Sequence, residues 1–321
     1  MPRDAGTRLK KALLSPEVTY MPGAYSPVIA TMLEQLGYEA MFMPGSQTNI
    51  YEFGMPDVGL MSMREMVDAA RRITAVSSLP VFMDGDTGWG NVLNVYRSVQ
   101  EAAWAGVAMM SIEDQEAPKK SGTSAGRRCV SLEEMIGKVK AAVDARNDAE
   151  SDMLIAARTD IIGGEFGGKV GTLNEAIERC TAFVEDGGAD VAWINTPQTF
   201  EDMHRACVEI PGPVIPLYGG PPPAPNLEEW AQIGAAGVLF PSMTTTVGLQ
   251  ATWDLLNDFK ENGVQALRDA QQRARDSKWG AISPQSLLVP SAEQVLELEK
   301  KYLPSEQQRD YGSTWGHPTQ I

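Results

Sequence analysis

The densest chemistry-bearing stretch of this 321-residue chain is Asp84-Gly85-Asp86-Thr87-Gly88-Trp89-Gly90-Asn91. Asp84 and Asp86 are two positions apart, so an extended backbone sends both side chains off one face, and the glycines let a ligand approach the main chain. Two neighbouring carboxylates repel, and a hard divalent cation relieves that repulsion. Glu113, in Ser111-Ile112-Glu113-Asp114-Gln115, and Asp57 add further oxygen donors. The chain has two histidines, His204 and His317, so an imidazole-rich transition-metal site is excluded and the donor set suits Mg²⁺ or Mn²⁺. Arg158, in Ala156-Ala157-Arg158-Thr159-Asp160, offers the planar fork that grips a substrate carboxylate through paired hydrogen bonds.

Each of these residues has a blander reading. Acidic side chains between a strand and a helix are commonly turn formers or N-caps, but Asp84, Asp86, Glu113 and Arg158 all fall at strand ends, which tells against that reading. Lys119-Lys120 and Arg127-Arg128 read equally well as a solvated loop, His204 as a surface residue, and the sixteen methionines as adaptable core. Cys129, Cys180 and Cys207 read as ordinary residues; their wide spacing makes neither a disulfide framework nor a metal cluster.

The elements that must hold these residues repeat. Short β-rich runs at 18–21, 40–43, 80–84, 108–113, 154–158, 191–194, 214–217 and 238–240 are each followed by an amphipathic helical pattern, which predicts a (β/α)8 barrel of the α/β class. Ser131-Leu132-Glu133-Glu134 and Thr172-Leu173-Asn174-Glu175 read as helix starts. Gly37, Gly106, Gly187-Gly188 and Gly234 sit where helices end. The reading divides the chain into a catalytic barrel over 1–262 and a helical extension and tail over 263–321. Two Gly/Pro-rich loops, 118–128 and 219–225, follow strands four and seven on the catalytic face and are candidate lids.

With 27 Lys+Arg against 42 Asp+Glu, the formal charge of −15 argues against nucleic acid or anionic lipid as a partner. An anionic substrate then needs local positive charge or a bound cation. Apolar runs such as Val238-Leu239-Phe240 are strand-sized, the amino terminus has no apolar signal core, and the odd cysteine count fits a reducing compartment, so a cytoplasmic location is expected.

Five segments resemble the isocitrate lyase and phosphoenolpyruvate mutase superfamily. They are Pro22-Gly23-Ala24-Tyr25; Met55-Pro56-Asp57-Val58-Gly59-Leu60; Asp84 through Asn91; Ile112-Glu113-Asp114-Gln115 with Pro118-Lys119; and Ala157-Arg158-Thr159-Asp160. The resemblance implies a barrel in which Asp84 binds Mg²⁺, with Asp57, Asp86 and Glu113 completing the shell. It also implies a 2-oxo or 2-hydroxy acid whose carboxylate is held by Arg158, an enolate stabilised by the metal, and a C-terminal helix traded between subunits of a homo-oligomer, a dimer or tetramer.

Where the lyases carry Lys-Arg-Cys-Gly-His, this chain reads Lys119-Lys120-Ser121-Gly122-Thr123. Ser121 stands at the Cys position, no His follows, and a hydroxyl is a much weaker acid than a thiol. The family's Ser-Gly pair is Pro44-Gly45 with Ser46 after it, and Asn195 stands where the family has Glu or His. Lys119, Ser121, Tyr25 and Arg158 are therefore the candidate catalytic residues, and Gly45, Ser46, Asp84, Arg158 and Asn195 the candidate substrate contacts. The expected activity is Mg²⁺-dependent cleavage of a C–C bond in a small 2-oxo or 2-hydroxy dicarboxylic acid, in the manner of methylisocitrate lyase, dimethylmalate lyase or an oxaloacetate decarboxylase. The alternatives are P–C chemistry, as in phosphoenolpyruvate mutase or phosphonopyruvate hydrolase, and a non-catalytic ligand-binding barrel.

Overall fold

A computed structural model describes residues 4–197, 199–217 and 224–309. Nine strands lie in chain order: β1 Thr19–Pro22, β2 Met41–Met43, β3 Val81–Met83, β4 Met109–Glu113, β5 Leu154–Thr159, β6 Glu165–Phe166, β7 Lys169–Val170, β8 Val191–Ile194 and β9 Gly237–Phe240. Strands β2, β3, β4, β5 and β8 form a parallel sheet in that order, and β1 pairs with β9 in parallel. Bridges Gly23↔Phe42, Ala192↔Val214 and Leu217↔Leu239 join these sheets into a closed barrel.

The alternation of strand side chains builds two cores. Met41, Met43 and Met83 face outward into the layer under the helices, while Phe42, Phe82, Met109, Ala156 and Trp193 face inward. Inside, Phe42, Phe82 and Trp193 pack edge to face, with ring centroids 5.0, 5.8 and 6.0 Å apart. Leu9 and Leu13 of the helix Ala5–Leu13 join this inner cluster and plug the barrel end opposite the catalytic loops. Ser131 and Thr172 cap the helices Leu132–Asp148 and Leu173–Glu185 through Glu134 N–H and Glu175 N–H. Gly234 ends the helix Leu227–Ile233 in the left-handed region at φ 86°, where a side chain would be strained.

Seven of the expected strands are present; the one expected at 214–217 is reduced to single bridges at Val214 and Leu217. Pro213 and Pro216 lack the N–H groups a full ladder needs, so the segment donates through Ile215 N–H to Ala192 O and otherwise accepts, from Ala192 N–H at Pro213 O, Ala236 N–H at Val214 O and Leu239 N–H at Pro216 O. A small antiparallel hairpin, β6–β7, follows β5 and was not expected.

The chain divides into two compact units, 1–245 and 246–321, with the division inside the helix Met243–Asn262. Within the second unit, the helices Val264–Arg275 and Ala292–Tyr302 fall in the stretch read from the sequence as a helical extension. Most of the second candidate lid, residues 219–223, lies outside the described residues, as does His317. No helix among the described residues is long and apolar enough to cross a membrane.

Phe82 is fully buried at the middle of the aromatic layer. Phe82→Ala is expected to cost about 3–5 kcal/mol, read as a fall in the urea midpoint; a loss below about 1 kcal/mol would mean that this layer carries little of the barrel's packing.

Candidate active site

The acidic loop leaves β3 in a turn rather than as extended chain. Asp86 and Trp89 adopt φ 47° and 59°, in the left-handed region that non-glycine residues seldom occupy. Asp84 and Asp86 therefore face one another because the backbone curls between them, with Asp86 N–H donating to Asp84 Oδ1 at 3.3 Å. The expectation of same-face strand geometry is corrected to this turn. Three bonds hold it: Glu113 N–H to Asp86 O at 2.8 Å, Trp89 Nε1–H to Met61 O at 3.0 Å, and Lys138 Nζ to Thr87 O at 3.3 Å.

The remaining acids converge on this turn. Asp84 accepts from Gly45 N–H at 3.1 Å, at the start of the helix Gly45–Phe53, and from Ser111 Oγ at 3.4 Å. Ser46 follows Gly45 in that first turn, where its hydroxyl accepts from Gln47 Nε2. Asp57 reaches in from the loop after the same helix. Glu113, at the end of β4, meets Arg158 NH1 at 3.2 Å.

The loop over 118–128 is docked onto this rim, not solvated throughout. Lys119 is 4% exposed, and its Nζ lies 2.5 Å from Asp57 Oδ1 and 2.6 Å from Asp86 Oδ1. Gln115 bridges the loop to the site, donating to Glu113 Oε1 and to Lys120 O and accepting from Lys120 N–H. Gly122 O receives Arg127 NH1 and Asn195 Nδ2. A Cβ at position 122 would lie 2.2 Å from Arg158 NH2, so only glycine allows this approach. Arg127 is buried as well, while Lys120 and Arg128 are exposed and match the solvated reading.

Asp160 is the residue that sequence reasoning left without a role. It is fully buried and accepts from Arg158 NH2 at 2.9 Å, Arg127 NH1 at 3.0 Å and Asn195 Nδ2 at 2.5 Å, with Arg158 Nε in ion-pair contact at 2.8 Å. Beneath it, Asp114 accepts from Asp160 N–H, Thr159 Oγ1 and Arg179 NH1. The signal was in Arg158-Thr159-Asp160, whose outer members share a strand face. Arg158 donates through NH2 to Asp160, its Nε and NH1 lie in ion-pair contact with Asp160 and Glu113, and its guanidinium lies 4.4 Å over the Trp193 ring.

Five carboxylates (Asp57, Asp84, Asp86, Glu113, Asp160) thus meet three cations (Lys119, Arg127, Arg158), a formal excess of two negative charges. Burial pushes the Asp86 carboxyl up to about 6, with Lys119 opposing and Asp84 and Asp57 adding to the rise. Burial likewise raises Glu113, against the pull of Arg158 and Lys119. For Lys119, burial is outweighed by Glu113, Asp86, Asp84 and Asp57, and the ammonium is held charged. A hard divalent cation fits this chemistry in ligand type and in charge. Asp84 meets no cation and is the natural direct ligand, with Asp57, Asp86 and Glu113 around it. Among the described residues no three acidic, Cys or His side chains are arranged to enclose an ion; Lys119 lies against Asp57 and Asp86, and Arg158 against Glu113.

Two candidates are placed differently. Tyr25 reaches the rim after β1 but stacks on Tyr51 at 3.9 Å, and burial together with the Tyr51 contact raises its pKa above the ordinary tyrosine value. Ser121 is half-buried within the docked loop. Cys129 is buried, and burial followed by Asp114 and Asp160 raises its thiol, so it does not replace the missing lid cysteine.

Asp160→Asn leaves Arg158 and Arg127 without their shared counter-charge. Breaking such a buried pair is expected to cost about 3–5 kcal/mol in a urea melt and to speed tryptic cleavage at Lys120 and Arg128, whereas unchanged cleavage would show that the loop is held without Asp160.

Residues 9–259 match the family described as phosphoenolpyruvate phosphomutase. A 2,3-dimethylmalate lyase of Eubacterium barkeri is 36% identical over 265 residues, covering 82% of this chain and 89% of its own. A 2-methylisocitrate lyase of Aeropyrum pernix is 33% identical over 262 residues, 81% of each chain. Among solved structures, oxaloacetate acetylhydrolase in complex with the inhibitor 3,3-difluorooxalacetate aligns with a TM-score of 0.80 at 26% identity, over 94% of this chain and 97% of that one. A 2,3-dimethylmalate lyase of the PEP mutase/isocitrate lyase superfamily aligns at 0.80 and 26%, over 95% and 98%. By the match over 9–259, these identities and the shared barrel, the chain belongs to the phosphoenolpyruvate phosphomutase family, within the PEP mutase/isocitrate lyase superfamily.

Proposed function

We propose that this protein is a divalent-cation-dependent lyase that cleaves a C–C bond in a small 2-oxo or 2-hydroxy dicarboxylic acid. The observation that carries the reading is the convergence of Asp57, Asp84, Asp86, Glu113 and Arg158 on one rim, with a docked loop covering them. Relatives named for dimethylmalate and methylisocitrate cleavage support the substrate class.

Asp84, Asp57, Asp86 and Glu113 would hold Mg²⁺ or Mn²⁺, and the ion would supply Lewis-acid stabilisation of the enolate charge that develops as the bond breaks. Arg158, fixed in plane by Asp160 and Trp193, retains two N–H groups for a substrate carboxylate. With Gly45 N–H held by Asp84, the N–H groups of Ser46 and Gln47 in the first turn of the helix Gly45–Phe53, with the Ser46 hydroxyl beside them, suit a second carboxylate. Asn195 acts through the loop, fixing Gly122 O, and its Oδ1 is buried with no hydrogen-bond partner. Lys119 and Ser121 enter with the docked loop, which excludes water from the carboxylates.

We also place the protein in the cytoplasm, on its three free cysteines. A homo-oligomer, dimer or tetramer, is supported by exposed apolar side chains including Trp253, Leu256, Phe259, Trp279 and Tyr302. Sedimentation is then expected to give a multiple of 34.8 kDa; a monomer would remove that part of the proposal.

Mg²⁺ with oxalate, an enolate mimic, is expected to raise the melting temperature of the full chain, and Asp84→Ala to abolish the rise. A coupled pyruvate assay over 2-oxo and 2-hydroxy diacids and phosphonopyruvate identifies the substrate. Arg158→Lys, which loses the fork, is expected to raise KM for the active diacid by about tenfold or more. Thermal stabilisation with no turnover anywhere in the panel would favour a non-catalytic barrel, and turnover of phosphonopyruvate alone would move the assignment to P–C chemistry.

A further inference from the structure

The loop lysine and the cation draw on the same atoms. Lys119 Nζ sits between Asp57 Oδ1 and Asp86 Oδ1 at 2.5 and 2.6 Å, with a side chain 4% exposed. Its stem packs near Gly59, where an added Cβ would be 3.4 Å from Lys119 Cγ, so the ammonium is delivered along a fitted channel rather than resting at the surface. Each of these oxygens that an ion takes is one that Lys119 loses, and two cations sharing them repel through a site of low polarity. Asp84 accepts from Gly45 N–H, Asp86 N–H and Ser111 Oγ and, among the described residues, forms no ion pair that an incoming ion would have to displace.

We propose that Lys119 is an internal competitor of the divalent cation: the ion's arrival weakens the hold of Asp57 and Asp86 on Lys119 and loosens the 118–121 end of the loop, and a diacid bound to the ion draws the ammonium back. The inference rests on the metal-dependent reading above and adds an order to it, with cation first, diacid second and loop closure last. The two ends of the loop differ in this respect. The Gly122 end is clamped by Arg127, Asn195 and Asp160, none of which an ion at Asp84 needs. The Lys119 end is held through Asp57 and Asp86, together with Gln115 at Lys120. The exchange therefore works as a hinge about Gly122 rather than as release of the whole loop. Coupling of this kind is reciprocal, so a loop held shut by Lys119 lowers cation affinity to the same degree that the cation loosens the loop.

The test is binding, not turnover. Mn²⁺ is titrated into the full-length protein and into Lys119→Met and Lys119→Arg, with free Mn²⁺ followed by electron paramagnetic resonance. Lys119→Met is expected to bind Mn²⁺ about tenfold more tightly or better, at the low end of couplings between close charges, and Lys119→Arg to stay near the parent. Lys119→Met, left with uncompensated carboxylates, is also expected to melt lower without Mn²⁺ and to gain more from it. Should that variant fail to fold, the unaltered protein decides the matter: Mn²⁺ alone accelerates tryptic cleavage after Lys119 and Lys120, and oxalate added with Mn²⁺ reverses it. Equal or weaker Mn²⁺ binding by a folded Lys119→Met, or cleavage indifferent to Mn²⁺, overturns the exchange while leaving the metal reading intact. No Mn²⁺ binding by any of the three proteins overturns both.

Discussion

The carboxylate of Asp160, cut off from water and shared by two arginines and an amide, is the contact on which the rest of the rim depends. A charge buried without partners costs several kcal/mol, so its burial requires Arg158, Arg127 and Asn195 to be in place together. They come from different elements: Arg158 from β5, Asn195 from the end of β8, and Arg127 from the far end of the loop after β4. Strand, sheet neighbour and loop are thereby locked to one point. Below, Asp114 fixes the Asp160 backbone and is itself neutralised by Arg179 on the helix Leu173–Glu185. A chain of charges thus runs from an outer helix to the guanidinium of Arg158. The plane of Arg158 is set from three sides, by Asp160, Glu113 and the Trp193 ring.

This arrangement also shows where a chain of formal charge −15 keeps fixed positive charge. The sum over the surface says little about a pocket whose cations are buried at fixed positions and whose carboxylates exceed them by two. Asp86 and Glu113 are raised although each meets a cation, because burial outweighs the pull of Lys119 on Asp86 and of Arg158 and Lys119 on Glu113. The left-handed turn at Asp86 keeps this repulsive cluster from relaxing, because relaxation would have to break the bonds to Glu113 N–H, Met61 O and Lys138.

Legibility in the sequence followed the range of the interactions. Strand alternation, helix caps and the glycines at helix ends are local, and the barrel could be read from them with one lapse, at 214–217, where Pro213 and Pro216 interrupt an apolar run that otherwise has strand composition. The acidic rim was legible because its members share one topological position, the ends of successive strands. What could not be read was which cation meets which acid. Lys119 and Arg127 sit in a polar loop whose composition fits solvent as well as burial, and Asp160 looks like a turn residue until Arg127, thirty-three positions away, is folded onto it. Arg179 gives even less warning, being a charged residue in an amphipathic helix whose partner lies sixty-five positions earlier.

The nature of the proton donor is the remaining link between this rim and the proposed cleavage. A general acid works best with a pKa near the operating pH; Lys119 is held charged well above it, and Tyr25, Ser121 and the neighbouring thiol of Cys129 depart from it as well. Cys129 is buried against Asp114 and Asp160, and its thiol is raised; Tyr25 is raised by burial and by Tyr51; Ser121 carries an alcohol in place of a thiol. A fragment that must be protonated as it leaves finds a poor donor among them. A fragment that departs as a neutral molecule, as CO₂ does, needs no donor at that step, and the carbanion left behind can take a proton afterwards from water once the Lys119 end of the loop lifts. Within the proposed substrate class, the buried thiol and the serine at position 121 therefore weigh toward cleavage in which the departing group carries no proton demand.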